Sequence, residues 1–247
     1  MKRFWIFLKT EFKLSLRDMN MPIFAVIMPL AVFILLGVIY GDRPAFDGAS
    51  CTFLEQSFGA VGAIAICAGG LMGLPMAVAD SRERGVLKRF RVTPVGPAFL
   101  LGIELALYIV YCVISLAVLA IPAALLWRLR LSGSLVAFLG SWFLTMLSTL
   151  SIGMLAGGVA KNARQASVIA SLLYFPTLLF SGATLPLEVM PAAMREAVSF
   201  FPLTQGITLM KNTFLGISTG NVLLPAALLL GVTLLCAVLA VRFFRWE

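Results

Sequence analysis

The chain has 247 residues, 61% of them hydrophobic and 12% charged, with a mean hydropathy of +1.02; a water-soluble domain is roughly half apolar and about a quarter charged, so that class is excluded. A net charge of +8 raises nucleic acid or an anionic membrane surface as partners, but the charges stand between long apolar runs, which favours the lipid bilayer and speaks against nucleic acid. There is no histidine, which removes His-based catalysis, proton relays and His metal sites, and Cys67, Cys112 and Cys236 fall inside apolar runs, which leaves neither a metal cluster nor a disulfide framework.

In chain order, residues 1–20 predict an amphipathic interfacial helix. Lys9, Lys13 and Arg17 share one face, and Phe4, Leu8, Phe12 and Leu16 share another about 140° away. Such a helix is either an anchor on anionic lipid or a lever that also touches a cytoplasmic partner. A helix that crosses a bilayer needs about 20 apolar residues. Six runs qualify: Pro22 to Tyr40, Ser57 to Ala79, Ala98 to Leu126, Ser134 to Ala160, Ala166 to Thr184 and Val222 to Val241. The first is too long for a signal-peptide core and lacks a cleavage site, so it reads as a retained span. With the N-terminus inside, 14 of the lysines and arginines fall in inner segments and 5 in outer ones, which predicts two cytoplasmic termini.

Residues 80–97, between the second and third spans, are too long and too patterned for a plain turn. Glu83, Leu87 and Phe90 or Arg91 recur at helical spacing, and Thr93-Pro94 ends the pattern because proline disfavours helix in its predecessor. A short helix beneath the membrane is expected, set against the simpler reading of a basic inner loop. Glu104 is the one carboxylate well inside a span. It is either satisfied by water or Arg164 near the inner side, or takes part in gating or substrate contact. Gly69-x-x-x-Gly73 and Gly153-x-x-x-Gly157 allow close helix approach, within the subunit or, alternatively, at a dimer seam. Thr145, Ser148, Thr149 and Ile152 form a stripe on the fourth span that reads as interhelical hydrogen bonding. The fifth span carries Tyr174, Phe175, Thr177, Leu178 and Ser181 around Pro176, a surface suited to an amphipathic solute, with Phe175, Leu178 and Ser181 expected to face the path. Core packing explains the same aromatic spacing. Residues 185–221 contain Pro186, Pro191 and Pro202 and no run long enough to cross, which predicts short re-entrant outer helices rather than an exposed loop.

No G-x-x-x-x-G-K-[ST] phosphate loop is present, so the chain lacks that route to ATP hydrolysis. The segment Glu83-Arg84-Gly85-Val86-Leu87 followed by Thr93-Pro94 resembles the loop after the second span of the ABC type-2 permeases, the membrane subunits of ATP-binding-cassette exporters. Ser181-Gly182, Pro186, Met190-Pro191, Phe201-Pro202-Leu203-Thr204 and Met210-Lys211 are similar to that family's C-terminal half. Val86 departs from a commoner threonine and Ala193-Met194 from a frequent tryptophan, which leaves the subfamily open.

The resemblance implies one all-α, six-span permease domain over residues 1–247 in the cell (inner) membrane. It implies a coupling helix bearing Arg82, Glu83, Arg84, Gly85, Leu87, Lys88, Arg91, Thr93 and Pro94 that docks on an ABC ATPase subunit. It further implies ATP and magnesium on that partner with no cofactor on this chain, a second permease subunit as homodimer or paired paralogue, and export of a drug, antibiotic, peptide or lipid-linked molecule. The alternative reading of the residues is an ATP-independent carrier or channel, with an ion dependence centred on Glu104.

Overall fold

A computed structural model describes residues 2–41, 43–45, 51–86, 97–184, 190–217 and 222–243. The described residues are almost wholly helical, with no strand beyond one isolated bridge between Pro44 and Thr52. Helix α1 (Lys2–Asp18) precedes six helices long and apolar enough to cross a membrane: α2 (Ile23–Tyr40), α3 (Phe53–Glu83), α4 (Ala98–Leu125), α5 (Leu135–Val159), α6 (Ala163–Phe180) and, after the short α7 (Ala192–Val198) and α8 (Pro202–Leu215), α9 (Leu223–Phe243). An even number of crossings puts both chain ends at one end of the bundle, the base; the opposite end is the crown.

Helix boundaries follow local chemistry. Thr52 and Glu55 form a reciprocal capping box that starts α3 (Glu55 N–H to Thr52 Oγ1 3.2 Å; Thr52 N–H to Glu55 Oε2 2.9 Å). Because of it, α3 begins four residues before the expected Ser57. The helix also continues past Ala79 to Glu83, so residues 80–83 belong to the span and not to the loop after it. Asn162 caps α6 by accepting the Gln165 N–H at 2.8 Å, which moves its start ahead of Ala166. That helix stops at Phe180, since the chain bends at Ser181 and Gly182 takes a left-handed φ of +88°.

α3 is the axis of the bundle, with 83% of its most apolar 18-residue stretch buried, against 17% for those of α6 and α9. Small residues make this possible. A side chain at Gly153 would run into the Gly70 carbonyl, and one at Gly157 would lie 2.9 Å from Pro75 Cα. The glycine pair of α5 therefore brings α3 and α5 together inside one subunit. The stripe on α5 behaves differently from its expected interhelical role: Thr145 and Thr149 donate back to the Ser141 and Thr145 carbonyls of their own helix, each at 2.8 Å. From α5, Ser141 reaches another helix, its hydroxyl 3.0 Å from Thr213 Oγ1 of α8.

The crown is closed by rings. Phe58 meets Phe33, Phe138 and Phe214 at centroid distances of 5.8, 5.9 and 5.2 Å, and Phe33 meets Trp127 at 5.7 Å. Residues 185–221 contribute α7 and α8; 185–189 and 218–221 lie outside the described residues. Gly206 near the start of α8 fits against Thr145, about 15 Å along α5 from its crown end. Gly133 at the crown receives the other end, with its N–H donated to the Phe214 carbonyl at 2.9 Å. α8 thus runs from mid-bundle back to the crown.

Candidate functional site

The base divides into two packed blocks. In one, the apolar face of α1 lies on the first turns of α4: Phe4 and Phe7 meet Phe99 edge-on at 5.9 and 5.8 Å, Phe12 meets Tyr111 at 5.5 Å, and Leu8, Ile103 and Leu107 are buried between them. The Tyr111 hydroxyl shares a 2.9 Å hydrogen bond with Ser15. In the other, Ala79 of α3 packs with Ala160 and Ala166 at the turn between α5 and α6.

The end of α3 is fastened to that turn. Arg82 is only 6% exposed, and its guanidinium donates to the Ala160 and Gly158 carbonyls, the latter at 3.1 Å. These carbonyls terminate α5, where a helix presents unpaired acceptors and the negative end of its dipole. Glu83 Oε2 accepts the Ala163 N–H at 2.9 Å, the first turn of α6, where an anion is favoured. One residue pair therefore holds the end of one helix and the start of the next. Arg84 is 73% exposed and pairs with Asp80 at 2.9 Å, and Gly85, with φ +68°, turns the chain out of the helix.

The motif's first residues, expected on a coupling helix, lie at the end of α3. Seven residues of helix beyond Pro75 carry Arg82 onto the α5 terminus. Among the described motif residues, Arg84 is the exposed cation. Leu87, Lys88, Arg91, Thr93 and Pro94 lie outside the described residues.

Between the two blocks opens a cavity of about 980 Å³. Glu104 projects into it, 8% exposed, with no hydrogen-bond or ion-pair partner among the described residues; the charges that act on it, Glu11 and Asp80, have its own sign. The expected satisfaction by Arg164 is absent from the described contacts. Burial also raises the Glu11 carboxyl above the ordinary carboxylate range.

The five residues expected on the fifth-span path do not share one surface. Tyr174 lines the cavity with Glu104, and Phe175 is 53% exposed on the outside of α6. Thr177 and Leu178 are partly buried. Ser181 is wholly buried, its hydroxyl without a hydrogen bond among the described residues. The helical period accounts for this, since six residues leave Phe175 and Ser181 about 120° apart. Glu11 and Asp80 were not singled out in the sequence. The available signal was a carboxylate on the helix preceding the first span and another ending the second apolar run.

Six helices long and apolar enough to cross a bilayer define a multi-pass membrane protein. The chain belongs to the ABC-2 type transporter family, whose sequence profile matches residues 2–215. It is similar to Inner membrane transport permease YhhJ of Escherichia coli (strain K12), 25% identical over 54% of this chain and 36% of that one. It is also similar to "Probable multidrug ABC transporter permease YbhS" of the same strain, 26% identical over 66% and 42%. A third relative is YvfS of Bacillus subtilis (strain 168), provisionally named a transport permease, at 24% over 78% and 77%. The chain thus spans about two fifths of the length of the first two relatives.

Proposed function

We propose that the chain is the membrane-spanning permease subunit of an ATP-binding-cassette exporter in the inner membrane, its base cytoplasmic, moving a hydrophobic or amphipathic solute outward. ATP, with magnesium, is hydrolysed on a separate ATPase subunit, and two permease subunits, as homodimer or paired paralogues, complete the membrane unit. The names of YhhJ and YbhS, one an inner membrane permease and the other a multidrug ABC transporter permease, support the location and the class of cargo.

The observation that carries the reading is the fastening at the base of α3. A force applied beyond Gly85 meets a helix that is buried over most of its length and fixed through Arg82 and Glu83 to the turn between α5 and α6. Displacement of the following loop, with Arg84 at its exposed root, is thereby passed to α3, α5 and α6 together. α4 carries α1 and also packs on α3, with Leu100 and Tyr108 in one apolar cluster with Leu74 and Val78, and the cavity opens beside that contact. Relative movement of the two blocks opens or closes that cavity at the base, while the ring cluster holds the crown. The segment of α7 and α8, which enters the bundle from the crown, acts as a re-entrant outer lid.

The test is purification of the tagged chain from its native membrane in mild detergent. An ABC ATPase should co-purify with ATP hydrolysis in the same fraction, and Arg84→Glu should weaken that association without loss of the chain from the membrane. Transport by the chain alone, with no ATPase present, would establish the carrier or channel alternative in its place.

A further inference from the structure

Glu104 is a carboxylate in the wrong solvent for its chemistry. It lies seven residues inside α4, more than nine-tenths buried, and nothing among the described residues donates to it. A buried charge normally recruits a partner, because the loss of hydration is otherwise uncompensated. Here the protein supplies the opposite: Glu11 and Asp80 add negative charge from two other helices. Among the described residues that line the cavity, the one cation, Arg84, is bonded to Asp80.

Apart from Ser15 and Ser81, the rest of the wall is apolar and aromatic. Tyr108, one turn along from Glu104 on α4, and Tyr174 of α6 present ring surface, and Met72 and Met76 of α3 present polarizable, adaptable thioethers. A volume of about 980 Å³ is at the upper end of the range for drug-sized ligands and far larger than a hydrated metal or sodium ion needs. Hard divalent cations would also require several converging oxygens, and no group of three acidic, cysteine or histidine side chains suited to a metal occurs among the described residues.

We propose that this cavity is a loading site for lipophilic organic monocations, with Glu104 as the counter-ion, Glu11 as a second attractor at the mouth, and Tyr108, Tyr174 and Met72 as the apolar wall. The site deepens the exporter reading, since it rests on the base of the bundle being the face from which cargo enters. It also gives the unpaired carboxylate its function: a neutral solute leaves Glu104 uncompensated, and a cationic one completes it. Movement of the α3, α5 and α6 block against the α1 and α4 block would carry Tyr174 and Met72 away from Glu104 and weaken the site.

The experiment uses the full chain in lipid nanodiscs with tetraphenylphosphonium as the cationic probe and triphenylphosphine oxide as its neutral counterpart. Equilibrium dialysis should show saturable binding of the cation. Glu104→Gln should weaken it about tenfold or more, Glu104→Asp should restore part of it, and binding of the neutral probe should not respond to either change. Equal cation binding by wild type and Glu104→Gln, or loss of both probes alike, overturns the site. Should Glu104→Gln fail to fold, wild-type protein decides: labelling of Glu104 by a hydrophobic carbodiimide, read by mass spectrometry, should be blocked by the cation and not by the neutral probe. Equal labelling in the two cases overturns the site. ATPase co-purification, scored on the same material, separates the two readings: a retained ATPase without cation binding removes only the loading site, and cation binding without an ATPase removes the exporter.

Discussion

The crown and the base of this bundle are built from different materials. At the crown, Phe33, Phe58, Phe138, Phe214 and Trp127 interlock, and Gly37 leaves room for the Trp127 indole directly against the α2 backbone. At the base, charged side chains sit on helix termini, and a cavity opens beside the apolar contact of α3 with α4, where Leu74 and Val78 share a cluster with Leu100 and Tyr108. Between tightly packed rings, small displacements lose dispersion contacts over the whole contact area. A base whose packing is interrupted by a void has fewer such contacts to lose. The difference teaches where this molecule is held and where it can move.

The contrast can be broken most severely at the crown. Phe58→Ala removes the ring that three others touch, and should cost about 3–5 kcal/mol of stability, read as a large fall in thermal unfolding temperature in detergent, with ATPase association retained in whatever protein folds. At the base, Arg82→Met should cost less, about 1.5–3 kcal/mol for the lost charge-assisted bonds to the α5 terminus, yet it should abolish the coupling of ATP turnover to transport. Instability without uncoupling in Arg82→Met would erase the distinction between the two ends.

A smaller effect separates docking from fastening. Glu83→Gln keeps an acceptor for the Ala163 N–H and loses only the charge at the α6 terminus, so stability should fall by about 0.3–1 kcal/mol and ATPase association should persist. Arg84→Glu should do the reverse, leaving stability unchanged within measurement while association weakens. The least effect concerns Glu11. Its carboxyl is raised in the folded chain, so the fold favours the neutral form, and the stability this contributes is present at low pH and lost as pH rises through the raised value. Glu11→Gln, neutral throughout, should therefore gain in melting temperature relative to wild type as pH increases from roughly 4 to 7. A pH-independent difference would show that Glu11 is fully solvated.

The spans were legible because about 20 apolar residues in a row admit few other readings, and the charges between them were placed by the same logic. What escaped was set by partners far along the chain. Nothing near Arg82 announces that Gly158 and Ala160 will present carbonyls to it, so a basic residue in a basic stretch read as surface. The hydroxyls of Thr145 and Thr149 looked available to neighbouring helices, but a helix offers each its own carbonyl four residues back. Glu104 was visible as an exception in an apolar run; that Glu11 and Asp80 face the same void depends on how α1 and α3 lie against α4, which periodicity does not encode.

The central claim is that the end of α3 and the turn between α5 and α6 move as one body relative to α1 and α4. Spin labels on exposed positions measure it directly in the co-purified complex with its ATPase, by electron–electron distances with and without ATP. A pair at Met76 and Lys161 links α3 to the turn between α5 and α6, and a pair at Lys9 and Lys161 links α1 to that turn. The account predicts that ATP leaves the first distance unchanged and shifts the second; a change in the first with the second fixed would contradict it.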